Sequence, residues 1–254
     1  MHDYPLPAVH ADHVEPVPRR VRAVKDGVTV VDTTSALYVW EWPAYPQFYV
    51  PAADVRTDLL RPEAETEQTS RGTATWQALD TGTGVTPRAA RRLTEAALPR
   101  LADTVRFEWE ALDAWFEEDE EVFVHPRSPY SRVDALRSTR HVVVELDGVV
   151  LAESHAPVTV FETGLPTRFY LDRTSVHWEH LVPIPLRTAC PYKGRTTGYW
   201  SARIGDTTHD EIAWCYDFPT RQLLPIAGLV AFLDEKVDVT VDGVRRERPR
   251  THFG

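Results

Sequence analysis

The feature that most constrains this chain is a repeat hidden inside it. Residues 21–62 align with residues 142–183 without a gap, at a constant offset of 121. Asp26-Gly27-Val28 falls on Asp147-Gly148-Val149, Val39 on Val160, Glu41 on Glu162, and Phe48-Tyr49 on Phe169-Tyr170. Val55, Leu60 and Pro62 fall on Val176, Leu181 and Pro183, while Trp40 matches Phe161 and Asp32 matches Glu153. The period is longer than that of stacked solenoid repeats, so it indicates a duplicated domain. The expected layout is an N-terminal extension over 1–17, a first, diverged repeat domain over 18–128, a short linker over 129–140 and a second repeat domain over 141–254. Pro126, Ser128, Pro129 and Tyr130 mark the join. Because the join is short, the two domains are expected to pack on each other.

The shared segment reads as strands. Val21 to Lys25 and Thr29 to Thr33 flank Asp26-Gly27, a type I′ hairpin signal, and His141 to Leu146 and Val150 to Glu153 flank Asp147-Gly148 in the same way. Further strands are expected at Leu37 to Glu41 and Val158 to Glu162, then at Phe48-Tyr49 and Phe169-Tyr170. Apolar residues at helical spacing predict one short helix after these, near Ala52 to Leu60 and Arg173 to Leu181. In the second copy, Thr196 to Arg203, Glu211 to Tyr216, Leu229 to Leu233 and Val237 to Val241 read as strands. The first copy diverges here. Thr86 can cap a helix beginning at Pro87 and running to about Leu98. Trp109, Leu112, Trp115 and Phe116 are also spaced for a short helix. The acidic run Glu117 to Glu121 reads as a solvated face or loop. The expected fold class is mainly β with short helices (α+β), in two tandem domains.

Composition narrows the function classes. The 254 residues are 43 % hydrophobic with eight Trp, nine Tyr and nine Phe, enough for real cores and aromatic pockets. The formal net charge of −10 argues against a nucleic-acid partner and against docking on anionic lipid. Two cysteines, Cys190 and Cys215, with no Cys-x-x-Cys, support neither a disulfide framework nor a structural zinc site. Isolated thiols suit a reducing compartment. No stretch approaches the ~20 apolar residues of a membrane span, and the N-terminus lacks a signal-peptide core, so a cytoplasmic protein is expected.

Several runs resemble a known family. Trp115-Phe-Glu-Glu-Asp-Glu, Val124-His-Pro-Arg-Ser-Pro-Tyr130, Arg132-Val-Asp-Ala-Leu136, Leu165-Pro-Thr-Arg-Phe-Tyr170, and Cys190-Pro-Tyr-Lys-Gly194 with Tyr199-Trp200 are similar to the actinobacterial tandem form of the family catalogued as domain of unknown function 427, also labelled nucleotidyltransferase-like. The resemblance covers roughly residues 18–254. It implies two tandem β-tent-like domains. Some relatives in that fold group hold zinc on two cysteine pairs, and others bind small ligands in an aromatic-walled pocket. This chain lacks the cysteine pairs, so no zinc is carried over. The family brings no agreed reaction. The second copy reads Phe169-Tyr-Leu-Asp-Arg-Thr-Ser-Val176 where the family's usual pattern is Tyr-Phe-Pro-x-x-Asp-Val, whereas the first keeps Pro51 and Asp54-Val55.

Three groups of residues carry candidate chemistry, and all lie in the second copy. In Cys190-Pro191-Tyr192-Lys193-Gly194, a lysine beside a thiol can activate it or hold an anion; the plain alternative is a tight turn with Cys190 filling space. Tyr199, Trp200, Trp214 and Tyr216 can wall a pocket or fill a core. Alternation puts Trp214 and Tyr216 on one face and Cys215 on the other. Glu162, Arg168 and Tyr170 can bind a polar ligand, or the charged pair can brace adjacent strands. Their first-copy partners are Glu41, Gln47 and Tyr49, so the pair would exist only in the second copy. His177 and His180, three apart, read as exposed helix histidines.

Nucleotidyl transfer is disfavoured, since neither Glu108-Trp-Glu110 nor Gly82-Thr-Gly84 forms a metal arrangement or phosphate cradle. The best sequence-based expectation is a small-molecule-binding protein with its pocket in the C-terminal domain. That pocket is built from Glu162, Arg168, Tyr170, Cys190, Lys193, Tyr199, Trp214 and Tyr216, with no cofactor and no metal. The alternatives are an enzyme on a small metabolite using Cys190 or Lys193, or a structural or protein-interaction module. Ligand identity and oligomeric state stay open.

Overall fold

The computed structural model describes residues 9–251. The first eight residues of the expected N-terminal extension lie outside the described residues. The chain divides into two compact units between Ser128 and Pro129.

The first unit contains β1 (Val14–Pro16), β2 (Val21–Lys25), β3 (Val28–Thr33), β4 (Leu37–Trp42), β5 (Tyr45–Pro51), β6 (Leu60–Thr69), β7 (Gly72–Asp80), β8 (Val85–Ala96), β9 (Thr104–Phe107), β10 (Ala114–Glu117) and β11 (Glu120–Val122). Seven of them form one antiparallel sheet in the order β1-β4-β5-β9-β8-β7-β6, and the other four form a second in the order β11-β10-β2-β3. The second unit contains β12 (Val133–Arg137), β13 (Val142–Leu146), β14 (Val149–Ser154), β15 (Val158–Glu162), β16 (Arg168–Leu171), β17 (Leu181–Pro183), β18 (Ala189–Cys190), β19 (Gly194–Arg195), β20 (Gly198–Ile204), β21 (Thr207–Cys215), β22 (Val230–Phe232), β23 (Asp238–Val241) and β24 (Val244–Arg245). Its sheets run β12-β15-β16-β22-β21-β20-β17 and β14-β13-β23-β24, the order of the first unit strand for strand, with a small ribbon of β18 and β19 added. The mainly-β, two-domain expectation therefore holds. The first strand of each large sheet lies in residues expected to be extension or linker.

Asp26-Gly27 and Asp147-Gly148 turn their hairpins with positive φ at both residues, 49° and 76° in the first pair, 50° and 80° in the second. Each unit has its main core between its two sheets. In the first, Val21, Val31, Trp40, Phe48, Val50 and Trp115 meet there; in the second, Val142, Leu151, Phe169, Leu171, Cys215 and Phe232 do. Full burial of such side chains contributes about 1.5–3 kcal/mol each. The opposite face of each large sheet carries a smaller cluster: Val39, Tyr49, Leu93 and Leu101 in the first unit, and Val160, Tyr170, Tyr216, Leu223 and Ile226 in the second.

The expected helices are corrected. Residues 52–60 form two single 3-10 turns, Ala52–Asp54 and Thr57–Leu59, separated by extended Val55, which bridges to Val31. Arg173–Ser175 and Trp178–His180 repeat the pattern, with Val176 bridging to Ala152. The helix expected over 87–98 is strand β8, hydrogen-bonded on both sides, to β7 and β9. Its Ala89, Ala90 and Leu93 mimic helical spacing because a bulge interrupts the alternation: Arg88 has φ 49° and the register shifts beside it. Glu211, at the matching place in β21, has φ 58°. The helix expected around Trp109 to Phe116 is a 3-10 turn, Trp109–Ala111, followed by β10, with Trp109 and Trp115 stacked at 5.0 Å. The acidic run is not wholly solvated, because Glu117 is buried at 2 % exposure and ion-paired to Arg19 and Arg127.

Candidate functional site

Strand alternation builds the candidate site. On β15, Val158, Val160 and Glu162 point to the face of the large sheet away from the main core. Register places Tyr170 opposite Val158 and opposite Ala231, Trp214 opposite Ala231, and Tyr199 opposite Trp214, so these side chains form a row across one face. Cys215 points the other way, into the core, as alternation predicts. Trp200 also packs on that core side, edge-on to Trp178 at 5.2 Å.

The Cys190–Gly194 segment closes over this row. Cys190 pairs with Gly194 as a tight hairpin, and Gly194 takes φ 98°, a conformation side chains disfavour. The Thr220 backbone N–H donates to the Lys193 carbonyl at 3.1 Å and the Thr220 hydroxyl to the Tyr192 carbonyl at 2.6 Å, which anchors the turn. Lys193 points inward instead of to solvent. Its ammonium is ion-paired to Glu162 and lies 3.8 Å from the Cys190 sulfur, with Lys193 8 % and Glu162 9 % exposed. Trp214 Nε1 donates to the Tyr170 hydroxyl at 3.4 Å and stacks on Tyr199 at 6.1 Å. Tyr216 is 5 % exposed and packs in the same cluster as Tyr170.

The electrostatics follow from burial. Burial pushes the Tyr170 phenol up to about 12 and the Tyr216 phenol well above its ordinary value. Burial also pushes the Cys190 thiol up, with Lys193 opposing. For Lys193, burial alone would favour the neutral amine, but the ion pair with Glu162 holds the ammonium. The resting site thus contains a protonated amine, a thiol and two phenols around one carboxylate.

All eight sequence-predicted residues lie on this face or its covering turn, Arg168 included, since it stands opposite Val160 and two residues from Tyr170. The expected Glu162–Arg168 pair does not form. Arg168 pairs instead with Asp234 at 3.2 Å and Glu235 at 2.6 Å, both on the segment following β22. Asp234 is buried, which pushes its acid up to about 6 against the pull of Arg168. No local pattern in the sequence marks Asp234 or Glu235 as Arg168 partners, since the three meet only through the β16–β22 pairing.

The first repeat fills the same place differently. Glu41 and Tyr49 match Glu162 and Tyr170, and Arg71, just before positive-φ Gly72, stands where Lys193 precedes Gly194. Register sets Arg91 at the position of Trp214 and Arg106 at that of Ala231. Glu41 accepts from the Tyr49 hydroxyl at 2.9 Å and pairs with Arg106 at 3.2 Å and Arg91 at 3.9 Å. Arg71 donates to Tyr49 at 3.2 Å and pairs with Asp12 at 2.7 Å. These cations, against the cost of burial, draw the Glu41 acid below its usual range.

His177 precedes and His180 ends a single 3-10 turn, Trp178–His180, in place of the expected helix. Among the described residues, the group that brings three potential metal ligands together is His141, Glu153 and His155. His141 Nε2 lies 2.7 Å from Glu153, and the two imidazoles stack at 4.1 Å. The matching positions in the first repeat hold the Arg20–Asp32 ion pair, so this group repeats a surface brace between adjacent strands.

Fold and site together define a class: a tandem protein of two-sheet, mainly-β repeats, each with a polar cluster on the outer face of its large sheet. The family model described as Domain of unknown function (DUF427) matches twice, over residues 13–118 and 134–243, and the chain belongs to that family. No curated protein matches the chain. Among the described residues, no helix is long and apolar enough to cross a membrane.

Proposed function

We propose that the C-terminal repeat binds a small polar molecule in the cytoplasm, at the face carrying Glu162, Tyr170, Cys190, Lys193, Tyr199, Trp214 and Tyr216, and that the N-terminal repeat is the scaffold copy. The observation that carries this is an exchange around a shared Glu–Tyr pair. Where the first repeat surrounds Glu41 with Arg91 and Arg106, the second has Trp214 and Ala231. A buried ion pair is expensive to desolvate, and a packed apolar substitute would serve a fold as well. Retaining Lys193 and Glu162 beside aromatic walls, with the competing guanidiniums removed, fits a site for a ligand that hydrogen-bonds to both. Arg168 lies on the same face but is occupied by Asp234 and Glu235, so it is not a ligand contact in this proposal.

Nucleophilic catalysis fits less well, because burial holds Cys190 as the thiol and its neighbours hold Lys193 as ammonium. The test is a thermal-shift screen of polar metabolites against wild type and the Lys193→Met/Glu162→Leu double variant. Compounds that raise the wild-type melting temperature are expected to lose that effect in the variant. Undiminished shifts in the variant would sink the proposal. A thiol reagent that modifies Cys190 faster than a free thiol at neutral pH would favour the enzyme alternative instead.

A further inference from the structure

Between the two sheets of the second repeat lies a cavity of about 460 Å³ that the proposed site does not use. It sits on the opposite face of the large sheet from Lys193, because Thr159 and Phe161 alternate with Val158, Val160 and Glu162 along β15. Its volume falls within the roughly 300–1,000 Å³ typical of small-molecule sites. Arg137, Arg140 and Arg246 line it together with Thr159, Phe161 and Phe169. Arg246 lies over the Phe169 ring at 5.5 Å, and Arg140 pairs with Asp242 at 2.7 Å. The Thr159 hydroxyl is buried, with the residue 5 % exposed, and has no hydrogen-bond partner. An orphaned buried hydroxyl costs about 1–3 kcal/mol unless something pairs with it.

The first repeat shows what this place is built to hold. Register puts Tyr38 at the position of Thr159, Trp40 at that of Phe161 and Glu117 at that of Val241. Tyr38 and Trp40 are 2 % and 0 % exposed and fill the space. Glu117 places a carboxylate there, paired with Arg19 and Arg127 and accepting from the Tyr38 hydroxyl at 3.4 Å. Arg19 is the counterpart of Arg140 at the offset of 121. The second repeat keeps the basic residue, shrinks both aromatic side chains and replaces the internal carboxylate with valine.

We propose that this cavity binds a small organic acid, which supplies from solution the carboxylate that Glu117 supplies internally in the first repeat. The arginines and the Thr159 hydroxyl take the carboxylate, and Phe161 and Phe169 take an apolar body. Binding would be followed in the full chain by methyl and amide NMR, with benzoate and hexanoate as probes. Benzamide serves as the uncharged shape and inorganic phosphate as the bare anion. The expected result is saturable shifts at Thr159, Phe169 and Val241, with benzamide and phosphate each at least about tenfold weaker. The Thr159→Tyr/Phe161→Trp variant, which restores the first repeat's filling, is expected to lose benzoate binding while keeping a folded spectrum. Arg137→Gln, at an exposed position, is expected to weaken benzoate severalfold even if the refilled variant misfolds. Three results would overturn the proposal: no saturable shift with either acid, benzamide binding as tightly as benzoate, or unchanged affinity in both variants. None of these readouts depends on Lys193, so the two ligand proposals stand or fall separately.

Discussion

Glu41 in the first repeat and Glu162 in the second occupy the same position on the same strand, yet they keep different company. Glu41 sits in a network with Arg91 and Arg106, and Arg71 is bound nearby through Tyr49. Glu162 has Lys193, with the Cys190 thiol and a row of aromatic rings around the pair. The contrast is reversed between the sheets, where the first repeat is filled by Tyr38, Trp40 and a paired Glu117 and the second is open. One topology thus tolerates two distributions of charge and volume. The backbone is satisfied by sheet pairing, which leaves the side chains on both faces of the large sheet free to diverge.

The comparison can be broken most forcefully at the ion pair. Lys193→Ala leaves Glu162 buried without its cation and is expected to cost about 3–5 kcal/mol in urea unfolding of the second repeat. Arg71→Ala leaves Glu41 with two arginines and is expected to cost less, roughly 1–2 kcal/mol. Equal losses would show that the two carboxylates are equally dependent on one partner. The Lys193→Met/Glu162→Leu double variant is expected to recover most of the loss.

The paired glycines sharpen it next. A Cβ on Gly72 would meet the Glu95 carbonyl oxygen at 2.0 Å, whereas on Gly194 the nearest atom is the Phe218 oxygen at 3.6 Å. Both have positive φ. Gly72→Ala is therefore expected to cost about 3 kcal/mol or more from combined strain and clash, and Gly194→Ala about 1–2 kcal/mol from strain alone. Thermal unfolding of the two variants checks the order.

A pH slope confined to the second repeat tests the comparison in another way. Asp234 has a folded-state acid raised from 3.8 to about 6 by burial, so folding takes up a proton between those values. Its contribution is most favourable below about pH 4 and declines as pH rises through 6. The stability difference between wild type and Asp234→Asn is expected to drift toward the variant over that window. A flat difference would mean that Arg168 fully compensates the buried carboxylate.

Much of this was legible in the sequence. The offset of 121 revealed the tandem repeat, the Asp-Gly pairs marked the hairpins, and alternation assigned Trp214 and Tyr216 to one face and Cys215 to the other. The residues proposed as the site stood out because the second copy carries Cys190, Lys193 and Trp214 where the first copy's sequence differs. Residues 85–96 were not legible, because a bulged strand with small residues and a helix share the same short-range apolar spacing. Register between strands distant in sequence decided the rest. It pairs Arg168 with Asp234 instead of Glu162, turns Lys193 inward, and opens a cavity where Thr159 and Phe161 replace Tyr38 and Trp40. Repeats, turns and faces are local and periodic, so the sequence alone determined them. Charge partners and empty volume depend on which strands lie side by side, so only the tertiary structure decided them.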